Sequence, residues 1–374
     1  MRSAADAPET WSENRSSASR GGLFTTALVF VAAVWISAFI GFSLAKDLLA
    51  WDVRFAYLPA ADAVLAGESP YPGLDDPILE DQKGYVYPPQ LVVALLPLTA
   101  LPVDVVALLV AIGMLALVGL TLWILDIRDV RCYATAFLWM PAASGVLLAN
   151  VSIPLALAVA LVWRYRDAVW PPAVALGLAV SAKLLLWPMF VWMLATRRLR
   201  TTVWAVLIGL GVTLAAWAAI GFAGFGSYPD LVRRLSEIQS ENSYSIVGMA
   251  ATLGLSEAVG QILTLAAGVG LLAGCVVFAR RDDEVRSFTC AVVATLALSP
   301  IVWLHYLVVL LVPLAIARPR FSPIWLLPVL LWISPRPGYA EGFVTFMPGI
   351  AAAILLAVLL ARPRASGVAA ETPA

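Results

Sequence analysis

The carboxylates that could take part in chemistry are concentrated in one segment, residues 46–87. Eight acids lie there against three basic residues, and they are Asp47, Asp52, Asp62, Glu68, Asp75, Asp76, Glu80 and Asp81. Asp52 belongs to an amphipathic, aromatic stretch, residues 51–58, that is typical of a helix in a membrane interface. Apolar surroundings raise the pKa of a carboxyl toward the range of a general base. Asp52 is therefore a candidate base, with Asp62 in reserve, while loop acids that merely face water fit the same pattern.

Two ionisable side chains stand alone in apolar sequence. Lys183 is followed by three leucines, and His305, the only histidine of the chain, lies five residues beyond Pro300. An ionisable group in hydrocarbon is costly unless it has a partner, so both are functional candidates. Lys183 either reaches water along its apolar stem or binds an anion such as a phosphate. His305 either bonds a backbone carbonyl as a neutral ring or binds a phosphate or hydroxyl of a substrate.

The composition indicates that these residues are positioned by membrane helices. Hydrophobic residues make up 61% of the chain and charged residues 13%, and the mean hydropathy is +0.89. Soluble domains carry about a quarter charged residues. The formal net charge is zero, which gives no indication of a nucleic-acid partner. With three scattered cysteines and one histidine, we expect neither a metal site nor a cofactor.

Apolar runs recur along most of the chain and predict an all-α polytopic membrane protein with about 10–13 transmembrane segments. Residues 23–361 are expected to form one membrane domain between a disordered cytosolic tail, residues 1–22, and a C-terminal tail, residues 362–374. Several runs are shorter than a full span and have prolines near their ends, as half-helices do. One such pair is predicted to meet at residues 181–183.

The distribution of basic residues predicts the orientation. Arginine clusters at residues 164–166, 197–200, 280–286 and 318–320 are expected to be cytosolic, whereas the acidic loop at residues 46–87 is expected outside. This loop is predicted to be ordered, with one short helix at residues 51–58 and another at residues 59–66 that Gly67 ends. The loop then re-enters the membrane at Tyr85-Val86-Tyr87-Pro88-Pro89, with tyrosines at the water boundary.

Several of these elements, in this order, resemble family 87 glycosyltransferases of the GT-C superfamily, which are related to polyprenyl-phosphate mannosyl- and arabinosyltransferases. The resemblance rests on Asp52 with Phe55-Ala56-Tyr57, on Tyr85-Val86-Tyr87-Pro88-Pro89, on Ser181-Ala182-Lys183, on Glu241-Asn242-Ser243, and on Ser299-Pro300-Ile301-Val302-Trp303-Leu304-His305-Tyr306. It covers roughly residues 23–360. It implies a GT-C-like bundle that transfers a sugar, mannose or arabinofuranose, from a polyprenyl-phosphate donor to a glycolipid or polysaccharide acceptor. The reaction would take place on the outer face of the plasma membrane.

The resemblance also implies roles for individual residues. Asp52 would be the catalytic base, and Lys183, Arg54 and His305 would bind the donor phosphate. Arg54 could instead pair with an acid. A further group, Tyr57, Tyr87 and Trp303, would either line the substrate site or mark the membrane interface. Arg233 and Arg234 are weaker phosphate candidates, since arginine pairs in such loops commonly contact lipid headgroups.

Two other functions fit the sequence. Broken helices with basic residues inside the membrane also suit a transporter or lipid flippase. Against it stand the lack of visible internal repeats and the concentration of acids in one outer loop. The third possibility is a membrane subunit that binds a lipid-linked sugar without turnover.

Overall fold

The structure is a computed structural model that describes residues 10–240, 243–333 and 354. Within these residues the chain forms α-helices and no strand. The α-helices are α1 (Thr10–Ala45), α2 (Leu58–Leu65), α3 (Gln90–Leu95), α4 (Val103–Ile124), α5 (Val130–Leu138), α6 (Met140–Leu148), α7 (Ser152–Arg164), α8 (Trp170–Ala182), α9 (Pro188–Ala195), α10 (Leu199–Ala219), α11 (Tyr228–Gln239), α12 (Ile246–Thr252), α13 (Glu257–Arg280), α14 (Glu284–Ala297) and α15 (Leu311–Ala317).

Shorter helical turns of other types connect these helices. A π-helical turn is formed by Val53–Tyr57. The 3₁₀ turns are Pro77–Leu79, Leu96–Ala100, Leu184–Leu186, Leu304–Leu310 and Pro323–Ile333.

Four helices of the described residues are long and apolar enough to cross a bilayer. They are Gly22–Ala45 within α1, then α4, α10 and α13, and each has 21 to 24 residues. A rise of about 1.5 Å per residue makes each about 30 Å long, the thickness of a hydrocarbon core. Six further apolar helical stretches have 10–17 residues. The prediction of an all-α polytopic membrane protein is confirmed, while the number of 10–13 crossing segments stays a prediction.

The core lies among the shorter helices. The most apolar windows of α1 and α13 are only 11% buried, whereas α6, α7, α14 and α15 bury most of their side chains. Large fully buried side chains include Trp139, Trp192, Trp325 and Phe288. The Trp139 indole donates to the Trp325 carbonyl at 2.8 Å, which satisfies its polar atom inside the core. The long helices α1 and α13 thus expose most of their apolar side chains, as helices in a bilayer do, while the shorter helices form the packed interior.

The boundary predictions have mixed outcomes. Gly67 follows α2 with φ +80°, so the predicted glycine stop is confirmed. The predicted break at residues 181–183 is confirmed as well, because Lys183 is extended between α8 and the turn Leu184–Leu186. Residues 10–22, predicted as tail, are helical in α1. Residues 1–9 and 362–374 of the predicted tails lie outside the described residues.

Helices α8 and α10 approach closely at two glycines. A Cβ on Gly177 would come 2.7 Å from the Ala205 carbonyl oxygen, and one on Gly209 would come 3.2 Å from the Gly177 carbonyl oxygen. Small residues at a crossing let two membrane helices pack backbone to backbone. This contact fixes α8, and with it the break at Lys183, against one of the long helices.

Gly177→Ala is therefore expected to destabilise the protein by about 1–3 kcal/mol, because the added methyl forces α8 and α10 apart. The measurement is thermal unfolding of the detergent-solubilised protein, where Tm should fall by several degrees. Gly211→Ala in α10 is the matched control, since a Cβ there meets nothing within 4 Å. An equal Tm for both variants would show that the glycine contact does not hold the helices together.

Candidate active site

A cavity of about 820 Å³ lies where the acidic loop meets the broken helices. Its size is within the usual range of small-molecule sites, about 300–1,000 Å³. The wall includes six of the seven residues predicted for the site, namely Asp52, Tyr57, Tyr87, Lys183, Trp303 and His305. These six residues come from four separate parts of the chain and converge on one space.

Asp52 lies directly before the π-helical turn Val53–Tyr57. Such wide turns are rare in proteins, and those that occur often lie at functional sites. Tyr57, at the end of the turn, donates its hydroxyl hydrogen to Asp52 Oδ2 over 3.2 Å. The turn therefore presents the carboxylate to the cavity and supplies one of its hydrogen-bond donors.

Asn150 is the second donor to Asp52 and was not predicted as a site residue. Its Nδ2 lies 2.9 Å from Asp52 Oδ2 and 2.9 Å from the Tyr87 hydroxyl oxygen. Its Oδ1 accepts from the backbone N–H and the hydroxyl of Ser152. These bonds fix the amide so that its donors face Asp52. The sequence signal for Asn150 is an amide in an apolar stretch, and a neutral amide lacks the ionisation cost that marks Lys183 and His305.

The segment that carries Tyr87 is held by three tyrosine hydroxyls. The hydroxyls of Tyr71, Tyr228 and Tyr85 donate to the backbone carbonyls of Tyr87, Val86 and Pro88. We name these three side chains the tyrosine clamp. An extended segment outside any sheet would otherwise leave these acceptors unpaired. The clamp fixes the position from which the Tyr87 hydroxyl meets Asn150.

Lys183 brings a cation to the same cavity. Its Nζ lies 3.6 Å from the centre of the Tyr306 ring and 5.3 Å from that of Tyr87. The Nζ atom is buried and has no hydrogen-bond partner among the described residues. Two aromatic faces stabilise an ammonium in part, but its three N–H donors remain for another acceptor.

His305 is the second residue of the 3₁₀ turn Leu304–Leu310 and is 4% exposed. Its Nε2 is buried and also lacks a hydrogen-bond partner in the described part of the chain. The ring lies beside Tyr306, with the two ring centres 5.0 Å apart. Lys183 and His305, which stand alone in apolar sequence, therefore both contact the Tyr306 ring.

Arg54 is placed elsewhere. Its guanidinium pairs with Asp104 at the start of α4 and with Asp47, and its Nε donates to the Leu49 carbonyl. It is not among the described residues that line the cavity. Of the two options given by the sequence, the structure shows pairing with an acid. Arg54 thereby ties the acidic loop to α4.

The other candidates are also outside the cavity. Asp62 is exposed on α2. Arg233 and Arg234 pair on α11 with Asp230 and Glu237. Within residues 10–240, 243–333 and 354, no group of three or more His, Cys, Asp or Glu side chains could hold a metal ion. Glu241 and Asn242, quoted for the resemblance, lie outside the described residues.

Comparison with known proteins agrees with the geometry. The family model for glycosyltransferase family 87 matches residues 85–300, more than half of the chain. The chain belongs to glycosyltransferase family 87. No curated protein and no solved structure matches it. The matched range contains Tyr87, Asn150 and Lys183, while Asp52 lies 33 residues before it and His305 five residues after it.

A family 87 glycosyltransferase needs to bring together an acceptor hydroxyl, a donor anomeric carbon and a leaving group. Within this cavity, burial raises the pKa of Asp52 to about 6, against hydrogen bonds from Asn150 and Tyr57 that lower it. The Lys183 charge lowers this pKa as well. A pKa near the working pH suits a general base, since the carboxylate is both populated and basic.

A general base must be ionised to act, so a catalytic role of Asp52 predicts that kcat/KM for transfer falls about tenfold per pH unit below about pH 6 and levels off above it. Asn150→Ala removes the largest effect that lowers the Asp52 pKa, so the acid limb should move to higher pH. The measurement is a pH–rate profile from pH 4.5 to 8.5 for both proteins. An acid limb at the same pH in both would contradict a positioning role for Asn150.

Proposed function

We propose that this membrane glycosyltransferase transfers a sugar, mannose or arabinofuranose, from a polyprenyl-phosphate donor to a glycolipid or polysaccharide acceptor on the outer face of the plasma membrane. The observation that carries the proposal is the buried Lys183 ammonium, which has no hydrogen-bond partner among the described residues and lies in the same cavity as Asp52. A buried cation calls for an anion, and a donor phosphate supplies it.

In the proposed reaction, Asp52 accepts the proton of an acceptor hydroxyl. The hydroxyl oxygen bonds to the anomeric carbon as the bond from that carbon to the phosphate oxygen breaks, so the anomeric configuration inverts. The electron pair leaves with the phosphate, and Lys183 and His305 stabilise its charge. Tyr57 and Asn150 hold the carboxylate, while Tyr87 and Trp303 line the sugar space.

A lipid-linked donor also suits the surroundings of Lys183. The cavity wall beside it includes Leu184, Leu185 and Trp187, and Leu184 is 68% exposed. An isoprenoid chain can therefore follow apolar side chains while its phosphate meets the ammonium. The described residues form no strand, so they contain no doubly wound domain for a nucleotide sugar.

The test is transfer in membranes that contain the protein. Labelled polyprenyl-phosphate mannose and polyprenyl-phosphate arabinofuranose are supplied in turn with native lipid acceptors, beside the corresponding nucleotide sugars. We expect label in an acceptor only from a lipid-linked donor. Transfer from a nucleotide sugar in purified protein would overturn the donor class.

The same preparation separates catalysis from transport. Family membership favours catalysis over the transporter or flippase that the sequence allowed. Movement of a lipid-linked sugar across vesicles without formation of a glycosidic bond would reverse that conclusion. Binding of the donor without any turnover would instead indicate a non-catalytic subunit.

A further inference from the structure

A second part of the cavity wall is built from amide, hydroxyl and carboxylate groups. It consists of Glu80, Asp81 and Gln82, which follow the turn Pro77–Leu79, and of Ser236 and Gln239 on α11. We name these five residues the amide region. The proposed function assigns no role to them, although they line the same cavity as Asp52.

The region joins two separate elements through its amides. Gln82 Nε2 donates to Gln239 Oε1 at 3.3 Å, and Gln239 Nε2 donates to the Leu79 carbonyl at 3.3 Å. Gln239 is 4% exposed, so its amide is held in place inside the wall. Gln82 is exposed and has a backbone φ of +58°, a left-handed conformation that residues other than glycine and asparagine rarely adopt. The loop thus maintains a disfavoured backbone conformation where it presents an amide to the cavity.

The charges of the wall divide it into two parts. Among the described lining residues, Lys183 is the only lysine or arginine, and it lies between the Tyr306 and Tyr87 rings. The amide region carries two carboxylates and no cation of its own, and the Asp81 carboxylate pairs with the neighbouring Lys83 at 3.5 Å. An anionic group is therefore attracted to Lys183 and repelled mainly by Glu80.

We propose that the amide region is the subsite for the acceptor, and that it selects an uncharged carbohydrate. Amides and hydroxyls both donate and accept, and carboxylates accept, which matches the hydroxyl groups of a neutral sugar. Residues 83–86 connect this region with Tyr87. The Tyr87 hydroxyl lies 2.9 Å from the Asn150 amide that donates to Asp52. Six residues from Gln82 to Tyr87 span at most roughly 20 Å when extended, so a short glycan reaches the base from here. This inference rests on the proposed function, which places the acceptor in the cavity.

The experiment measures binding without turnover. The purified full chain in nanodiscs is titrated with octyl β-D-glucopyranoside and with octyl β-D-glucopyranosiduronic acid, and empty nanodiscs correct for partitioning. We expect the neutral glycoside to bind about tenfold more tightly than the anionic one. Equal or tighter binding of the glucuronide would overturn the selection of an uncharged sugar.

The variant for this experiment is Gln82→Gly, which removes the amide at a backbone conformation that glycine favours. We expect it to weaken binding of the neutral glycoside by about 2- to 12-fold, the effect of one hydrogen bond. Asp282→Gly is the matched control, because Asp282 has φ +55° outside the cavity. Unchanged binding in Gln82→Gly would overturn the subsite. This binding experiment needs no sugar donor, so it is independent of the transfer assay. If the transfer assay fails but the neutral glycoside still binds more tightly, the proposed function is overturned and the sugar subsite is not.

Discussion

Asp52→Asn is expected to lower kcat for sugar transfer by about 10²–10⁴-fold, with little change in the donor KM. Asparagine has nearly the shape of aspartate and fills the same place, but it cannot take a proton from the acceptor hydroxyl. The donor phosphate is proposed to bind Lys183 and His305, so its binding should persist. The measurement is initial rates with the labelled lipid-linked donor across donor and acceptor concentrations.

The stability of the same variant provides an internal check. The folded-state pKa of Asp52 is about 6, above its ordinary value of 3.8, because burial disfavours the carboxylate. Ionisation of this group therefore opposes folding increasingly between about pH 4 and pH 6, and by a constant amount above pH 6. Asp52→Asn should have a Tm at pH 7 equal to or above that of the wild type. A lost rate with an unchanged or higher Tm cannot be ascribed to unfolding.

Asp62→Asn is the control for this experiment. Asp62 belongs to the same acidic loop and is exposed on α2, so its replacement should leave the transfer rate unchanged. Wild-type transfer by Asp52→Asn would disprove the assignment of the base. A large loss in Asp62→Asn alone would move that role to the reserve candidate.

Lys183→Gln is expected to lower kcat by about 10²–10³-fold, similar to the loss of one donor to a developing oxyanion. Its ammonium has no hydrogen-bond partner in the described part of the chain, and it lies 3.6 Å from the Tyr306 ring centre. In the proposed reaction it stabilises the charge that develops on the leaving phosphate. The measurement is single-turnover transfer with saturating donor, which separates the chemical step from binding.

A second readout identifies the electrostatic origin of this loss. The Lys183 charge lowers the pKa of Asp52, so its removal should shift the acid limb of the pH–rate profile to higher pH. Lys46→Gln is the matched control, because Lys46 is exposed after the end of α1. An unchanged acid limb in Lys183→Gln, together with a wild-type rate, would exclude the proposed role. The same loss in Lys46→Gln would indicate a general effect of charge.

Much of the site was predictable because ionisable groups in apolar sequence are costly. This cost marks Lys183 and His305 in the sequence, and both line the cavity. Asp52 is indicated by its amphipathic surroundings and by the family resemblance. Gly67 is indicated because a glycine after a short helical pattern is a common stop.

The remaining features depend on contacts between distant parts of the chain. Arg54 finds Asp104 fifty residues later, and no local pattern marks that pair. Asn150 is neutral, so the cost that marked Lys183 did not mark it. The tyrosine clamp involves Tyr228, which lies 142 residues from the carbonyl that it bonds. Sequence spacing carries no information on such distances.

The π-helical turn after Asp52 has a consequence for how variation in this protein is interpreted. An α-helix advances about 100° per residue, and a π turn accommodates one residue more than an α turn does. Deletion of one residue between Val53 and Tyr57 would allow regular α-helical winding into α2. Asp52 would keep its identity but would then face a direction about 100° away from Asn150. The direction of the carboxylate is thus set by chain length, and an alignment that keeps Asp52, Tyr57 and Asn150 can still lose the site through a single gap.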